Sequence, residues 1–149
     1  MITYQEEQFE DIVEDIKPIL EVHWNELANN KDIRYLDVDY DGYIKLNRIG
    51  SWKVFTVRDD DKLIGYSSFL IAHNLHYKDW KFASNDVYYL QKEYRKKGIG
   101  YKMFKETERW LKDQGVKSVV VQEKIDHPHS VLFDDLGFVL IERNYEKVL

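Results

Sequence analysis

Across residues 6–28 the apolar side chains of Phe9, Ile12, Val13, Ile16, Ile19, Leu20, Trp24 and Leu27 recur at steps of three and four, with charges between them. That spacing predicts an amphipathic helix. Pro18 falls inside it and predicts a kink or a break into two helices, because its ring crowds the preceding turn and it has no N–H. Asn29 and Asn30 close the segment. Residues 39–49 read as a short helix that starts in an acid-rich cap region and stops before Gly50.

The pattern then changes to that of strands. Residues 52–57 are aromatic and β-branched, Asp59, Asp60 and Asp61 make a polar turn, and residues 63–71 form the second arm of a hairpin. An aromatic-rich loop or strand extension follows over 73–82, then a strand over 86–90 that ends where the chain turns basic. From 98 to 114, Ile99, Met103, Thr107, Trp110 and Leu111 share one helix face, and Gly115 is a natural stop. Residues 118–122 carry three consecutive valines and predict a short buried strand, and 130–136 a short helix ended by Gly137. Residues 138–141 and 143–148 predict two final strand segments. A strand–helix–strand unit implies a parallel pair and the hairpin an antiparallel half, so the expected fold is a mixed α/β sheet in one domain.

Composition narrows the function. The 149 residues hold 44% hydrophobic side chains, 7 Gly and 2 Pro, which excludes fibrous and disordered classes. Cys is absent, so disulfides, cysteine zinc sites and a thiol nucleophile are excluded. No apolar run approaches the ~18 residues of a membrane span and the start lacks a leader pattern, so a cytoplasmic protein with no membrane partner is expected. The net charge of −5 and the lack of a broad basic face disfavour nucleic acid. Acidic residues cluster over 6–15, 37–41 and 59–61, which fits either a solvated surface or a cationic, amine-bearing partner.

The most informative stretch is Asp86-Val-Tyr-Tyr-Leu-Gln-Lys-Glu-Tyr-Arg-Lys-Lys-Gly-Ile-Gly-Tyr101. It holds R-x-x-G-x-G, from Arg95 to Gly100, between a strand and a long helix. A helix N-terminus offers unpaired N–H groups and partial positive charge to a phosphate group. Gly98 and Gly100 let the backbone approach it, and Arg95, Lys96 and Lys97 add charge. The P-loop pattern is absent, and Met103 stands where a dinucleotide loop needs a third glycine.

With Leu90 five positions before Arg95 and Leu136-Gly137-Phe138 downstream, the segment resembles the acetyl-CoA motif of GNAT-type N-acetyltransferases. The resemblance covers almost the whole chain, and in outline it is similar to small members encoded in bacteriophage genomes. It implies the GNAT fold: a mixed, mostly antiparallel sheet splayed at a central parallel strand pair and flanked by helices. Acetyl-CoA would wedge into the splay, with backbone N–H groups of Arg95, Lys96, Lys97, Gly98, Ile99, Gly100 and Tyr101 at the pyrophosphate. Tyr89 and Leu90 would pair with the pantetheine arm, the Leu90 N–H polarising the thioester carbonyl. The acceptor would be a primary amine, on a small molecule or at a protein lysine or N-terminus, acetylated directly because no Cys can carry an acyl group.

An ammonium must lose a proton before it attacks, so a base is required. Asp86 is the first candidate, on the same strand face as Leu90 by the period-two rule; capping a neighbouring loop is its other reading. His127 follows, just past the valine strand, in a stretch that also reads as an ordinary polar turn. A metal held by His127 and His129 is not expected, since no third ligand stands nearby. Many members carry a Tyr that protonates the leaving thiolate where this chain has Phe133, beside the cofactor, and Asp126 replaces a frequent Asn. Tyr145, Tyr89 or water would have to substitute. The departure keeps open a rival reading, a catalytically weak CoA-binding or protein-interaction module. His23, Glu26 and His76 are the candidate acceptor-side residues, with Trp24 assigned to the core. The protein would be a monomer, or a homodimer paired through its terminal strands.

Overall fold

The computed structural model describes residues 1–149. Five strands form one sheet in the order β1-β2-β3-β4-β5: β1 (Ile2–Glu7), β2 (Trp52–Asp59), β3 (Lys62–His73), β4 (Lys81–Leu90) and β5 (Ser118–Val120). The first four are antiparallel neighbours and β4 pairs with β5 in parallel. Helices α1 (Phe9–Leu27) and α2 (Tyr40–Arg48) cover one face, and α3 (Ile99–Asp113) and α4 (Ser130–Asp135) the other. No helix is long and apolar enough to cross a membrane.

Each face has its own core. Phe9, Ile12, Ile16 and Ile19 of α1 pack on Trp52, Val54, Tyr66 and Tyr89. On the other side Ile99, Met103, Phe104 and Leu111 of α3 pack on Val57, Ile64, Phe69 and Leu90, with Phe133 of α4 completing the cluster. Buried polar groups tie these layers together. Asn47 Oδ1 accepts from the Phe9 amide at 2.9 Å, and its Nδ2 donates to the Trp52 carbonyl at 3.2 Å.

Four sequence expectations are corrected. Residues 6 and 7 belong to β1, an edge strand absent from the sequence reading, and the helix starts at Phe9. Its run of alternating Ile2 and Tyr4 is too short to signal a strand until β2 supplies the ladder. Of the kink or break expected at Pro18, the break does not occur: one helix runs through it, with Ile16 and Ile19 on either side held in the core. β4 begins at Lys81, five residues earlier than the pattern indicated. Beyond Gly137 no strand forms: Val139, Leu140 and Ile141 are 80%, 78% and 69% exposed and pair with no strand, although the outer edge of β5 is unpaired.

The acidic clusters are largely spent inside the chain. Glu6 pairs with Lys53 at 2.8 Å, Arg58 bridges Glu7 and Asp15, Arg48 meets Glu10, and the Met1 ammonium is bound by Asp59 and Asp60. Asp39 caps α2 by accepting from the Gly42 amide at 2.8 Å. Asp11, Asp37, Asp41 and Asp61 are exposed.

Candidate active site

The sheet opens where β4 loses its parallel neighbour. β5 pairs only as Phe82–Ser118, Ala83–Val119 and Ser84–Val120, so from Asn85 onward the outer edge of β4 has no strand partner. The Gln91 amide donates to the Ile64 carbonyl of β3 at 2.9 Å. By the alternation of an antiparallel ladder, Leu90 then presents its N–H and C=O to the open edge. Its carbonyl accepts from Arg95 Nε at 2.8 Å, and its N–H faces the gap.

A bulge sits at the start of that gap. Ser68 of β3 faces Val87 and Phe69 faces Asn85, leaving Asp86 as the extra residue of β4. The buried Asn85 amide spans the kink, with Nδ2 donating to the Ser68 carbonyl at 3.0 Å and the Val87 carbonyl at 3.2 Å. The extra residue breaks the period of two. Asp86 therefore lies not on the Leu90 face but on the α1–α2 side, correcting the expectation from strand alternation.

There Asp86 Oδ2 accepts from Trp52 Nε1 at 3.0 Å, Tyr43 Oη at 3.1 Å and Ser68 Oγ at 3.4 Å. Oδ1 takes no hydrogen bond and is not sealed from solvent. Burial, with the carboxylate beside it, pushes the Tyr43 hydroxyl up to about 12, so it stays a donor. Asp86 lines a cavity of about 220 Å³ beneath α1 together with His23, Trp24, Trp52, Tyr66 and Lys124.

His23 is half-buried, stacked on Tyr89 with centroids 4.7 Å apart, and shares a 2.6 Å hydrogen bond with the Tyr66 hydroxyl. Burial lowers its pKa to about 4, leaving a neutral imidazole. Glu26 takes a different role from the one its spacing suggested. It binds Arg95 at 2.7 Å and 3.2 Å and accepts from Tyr89 Oη at 3.0 Å; the Arg95 guanidinium holds its carboxyl below the usual range. Trp24, assigned to the core by the sequence pattern, lines the cavity instead.

The glycine segment has the geometry an anion needs. Gly98, at φ +74°, precedes α3, whose first turn has no side-chain cap and no acidic residue. A Cβ built on Gly100 meets only Leu90 Cδ2, at 4.0 Å, so the chain leaves open space before the α3 N-terminus. Ile99 is buried in the core and Tyr101 points outward, which leaves their backbone amides as the groups available there. Lys96 adopts φ +62° and Lys97 lies over the Tyr94 ring.

The remaining expectations divide. His76 lies in the exposed turn after β3, its amide donating to Asn74 Oδ1, and does not line the cavity. His127 sits in a turn closed by its amide on the Lys124 carbonyl at 3.0 Å; Lys124, not His127, reaches the cavity. Tyr145 is exposed and the Tyr89 hydroxyl is engaged by Glu26, so neither stands at Phe133. The sequence reading missed Tyr88. Its ring packs against Phe133 at 6.0 Å and Phe104 at 5.4 Å on the α3–α4 side. His129 Nδ1 lies 2.8 Å from the His127 carbonyl and 3.4 Å from Tyr88 Oη, so a proton on Nδ1 is directed at both oxygens. Burial, then Glu123 nearby, raises the Tyr88 hydroxyl to about 12. A tyrosine one position before Tyr89 on a strand carried no sequence signal of its own.

A gap in a mixed sheet, opened beside a glycine loop that leads into a helix, is the arrangement that the sequence resemblance implied. The family model for the acetyltransferase (GNAT) family matches residues 9–138, and the chain belongs to that family. No curated relative matches the sequence. Among solved structures it is similar to an aminoglycoside acetyltransferase from an uncultured soil metagenomic sample in complex with sisomicin, at 15% identity and a TM-score of 0.76, covering 99% of this chain and 97% of that one. A ribosomal-protein-alanine N-acetyltransferase from Brucella melitensis biovar Abortus 2308 gives 13% identity and a TM-score of 0.77, with 99% of each chain covered. A predicted acetyltransferase from Clostridium acetobutylicum with acetyl-CoA gives 12% and 0.75, covering 99% of this chain and 96% of that one. At these identities the likeness is one of fold.

Proposed function

We propose that the protein is an acetyl-CoA-dependent N-acetyltransferase that acetylates a primary amine directly. The observation that carries this reading is the end of β4–β5 pairing at Ser84 and Val120, beside which the free Leu90 N–H, the open α3 N-terminus and the Asp86 carboxylate all lie. Bound acetyl-CoA would supply an activated acetyl thioester.

The backbone amides of Gly98, Ile99, Gly100 and Tyr101 would hold the pyrophosphate, since nothing in the chain caps them and Gly100 leaves room. The Leu90 N–H is an oriented donor for a carbonyl oxygen that gains negative charge during acyl transfer. Asp86 Oδ1, the oxygen that Trp52, Tyr43 and Ser68 leave free, receives the proton of the acceptor ammonium. Tyr88 Oη holds the proton that a departing thiolate takes up, in place of the hydroxyl absent at Phe133. The His129 Nδ1 proton directed at its oxygen leaves the phenolic proton free to turn toward the gap.

Calorimetric titration with acetyl-CoA tests the reading. Micromolar binding, about −8 kcal/mol, supports it; an absence of binding overturns it. Tyr88→Phe slowing turnover without changing acetyl-CoA affinity checks the proton donor.

A further inference from the structure

The cavity beneath α1 specifies more than an amine. We propose that the acceptor is a small monoamine on an apolar body about the size of one aromatic ring with a short chain, its nitrogen at Asp86 Oδ1 and its body in that cavity. The assignment rests on the transferase reading for the fate of the amine and on the cavity alone for its identity.

Size sets the first limit. An apolar cavity of about 150 Å³ accommodates benzene. The 220 Å³ here therefore seats one ring and a two- or three-atom chain, and a multi-ring sugar would leave most of its body outside. Its walls are apolar: 13 of the 17 lining residues are hydrophobic, among them Phe9, Ile16, Leu20, Leu36, Val38 and Trp52.

The polar lining atoms set the second limit, because most are already engaged. Trp52 Nε1, Tyr43 Oη and Ser68 Oγ serve Asp86 Oδ2, and the Tyr66 hydroxyl and His23 serve each other. A polyol or a peptide backbone placed there would leave its own donors and acceptors unpaired, at roughly 1–3 kcal/mol for each buried group. Asp86 Oδ1, the Lys124 ammonium, the second ring nitrogen of His23 and the Trp24 indole N–H remain, and of these only Asp86 Oδ1 and Lys124 carry charge.

Charge sets the third. Asp86 and Lys124 are the only ionised side chains lining the cavity, since burial keeps His23 neutral. One free carboxylate meets one ammonium; a second cation on the same ligand would face Lys124. Polyamines and aminoglycosides are thereby disfavoured, and an aralkyl monoamine is matched in volume, polarity and charge.

Trp24 and Trp52 line the cavity, so quenching of tryptophan fluorescence reports binding without any chemistry. The ligands are 2-phenylethylamine, its neutral isostere 2-phenylethanol, sisomicin, and a short peptide with an N-terminal alanine. Release of CoA thiol from acetyl-CoA is followed in parallel. Phenylethylamine is expected to bind at least tenfold tighter than each of the others and to give the fastest thiol release. Asp86→Asn should erase the preference for amine over alcohol while the alcohol still binds. Leu36→Trp, at an exposed lining position, should fill the cavity and abolish binding of both.

Tighter binding or faster acetylation of sisomicin or of the peptide overturns the assignment. So does phenylethylamine binding that neither substitution alters. Specific binding of phenylethylamine with no thiol release from any amine upholds the assignment and overturns the transferase reading. Thiol release with sisomicin but none with phenylethylamine does the reverse.

Discussion

Arg95, at the head of the glycine motif, forms a bidentate ion pair with Glu26 near the end of α1, at 2.7 Å and 3.2 Å across 69 residues of sequence. Its Nε simultaneously holds the Leu90 carbonyl, and its guanidinium lies over the Tyr89 ring at 5.2 Å. The motif arginine thus ties the helix over the Asp86 cavity to the strand and loop proposed above to hold acetyl-CoA.

Glu26→Gln should therefore loosen both sides of the molecule. Because the arginine side chain is about a third exposed, solvent screening limits the loss of stability to about 1–2 kcal/mol. Denaturant midpoints of Glu26→Gln, Arg95→Gln and the double variant should show clear coupling. Acetyl-CoA affinity should fall severalfold in each. Additive effects would mean the pair positions nothing.

Gly100 separates the needs of the ligand from those of the fold. It lies within α3 at an ordinary helical position, and a Cβ there meets nothing closer than 4.0 Å. Gly100→Ala should stabilise the protein by about 0.5–1 kcal/mol, because glycine is a poor helix residue. That is a rise of about 1–4 °C in Tm for a chain of this length. Gly100→Leu should fold normally yet lose acetyl-CoA binding by calorimetry; unchanged affinity would remove the phosphate role from this loop.

Asn85 maintains the bulge that turns Asp86 toward the cavity. Asn85→Ala leaves the Ser68 and Val87 carbonyls without their side-chain donor, at about 1–3 kcal/mol of stability. The larger effect is expected on turnover. If the bulge relaxes, Asp86 moves off its cavity face, and kcat/KM for the amine should drop well before acetyl-CoA affinity changes.

His23 should make stability depend on pH. Its folded pKa, about 4, lies below the ordinary 6.5, so the unfolded chain takes up this proton first as pH falls. The contribution is complete above pH 6.5 and is lost between 6.5 and 4, about 3 kcal/mol in all. Glu26, held low by Arg95, loses its own contribution only below its ordinary 4.5. Urea midpoints between pH 5 and 6.5 therefore isolate the histidine, and His23→Gln should flatten that slope. A slope unaltered by the substitution would assign it to other groups.

Local patterns account for what could be read without the fold. The stripes of α1 and α3, the cap of α2 at Asp39, the aspartate turn after β2 and the glycine-to-helix junction each depend on neighbours within a few residues. Periodicity and special backbone needs encode such features directly. The order of elements from the hairpin to the last helix followed from them.

The rest required partners distant in sequence. β1 is a strand only because β2 pairs with it, and Pro18 stays helical only because the core grips Ile16 and Ile19. The apolar residues after Gly137 resemble strands by pattern, yet make no ladder in the folded chain. Asp86 was a legible candidate, but one extra residue in the β3–β4 ladder chose its face, and Tyr43, Trp52 and Ser68 chose its free oxygen. Chemistry-bearing residue types are written along the chain. Which of their atoms remain unpaired, and in what volume, is decided only when elements tens of residues apart compete for the same hydrogen bonds and the same space.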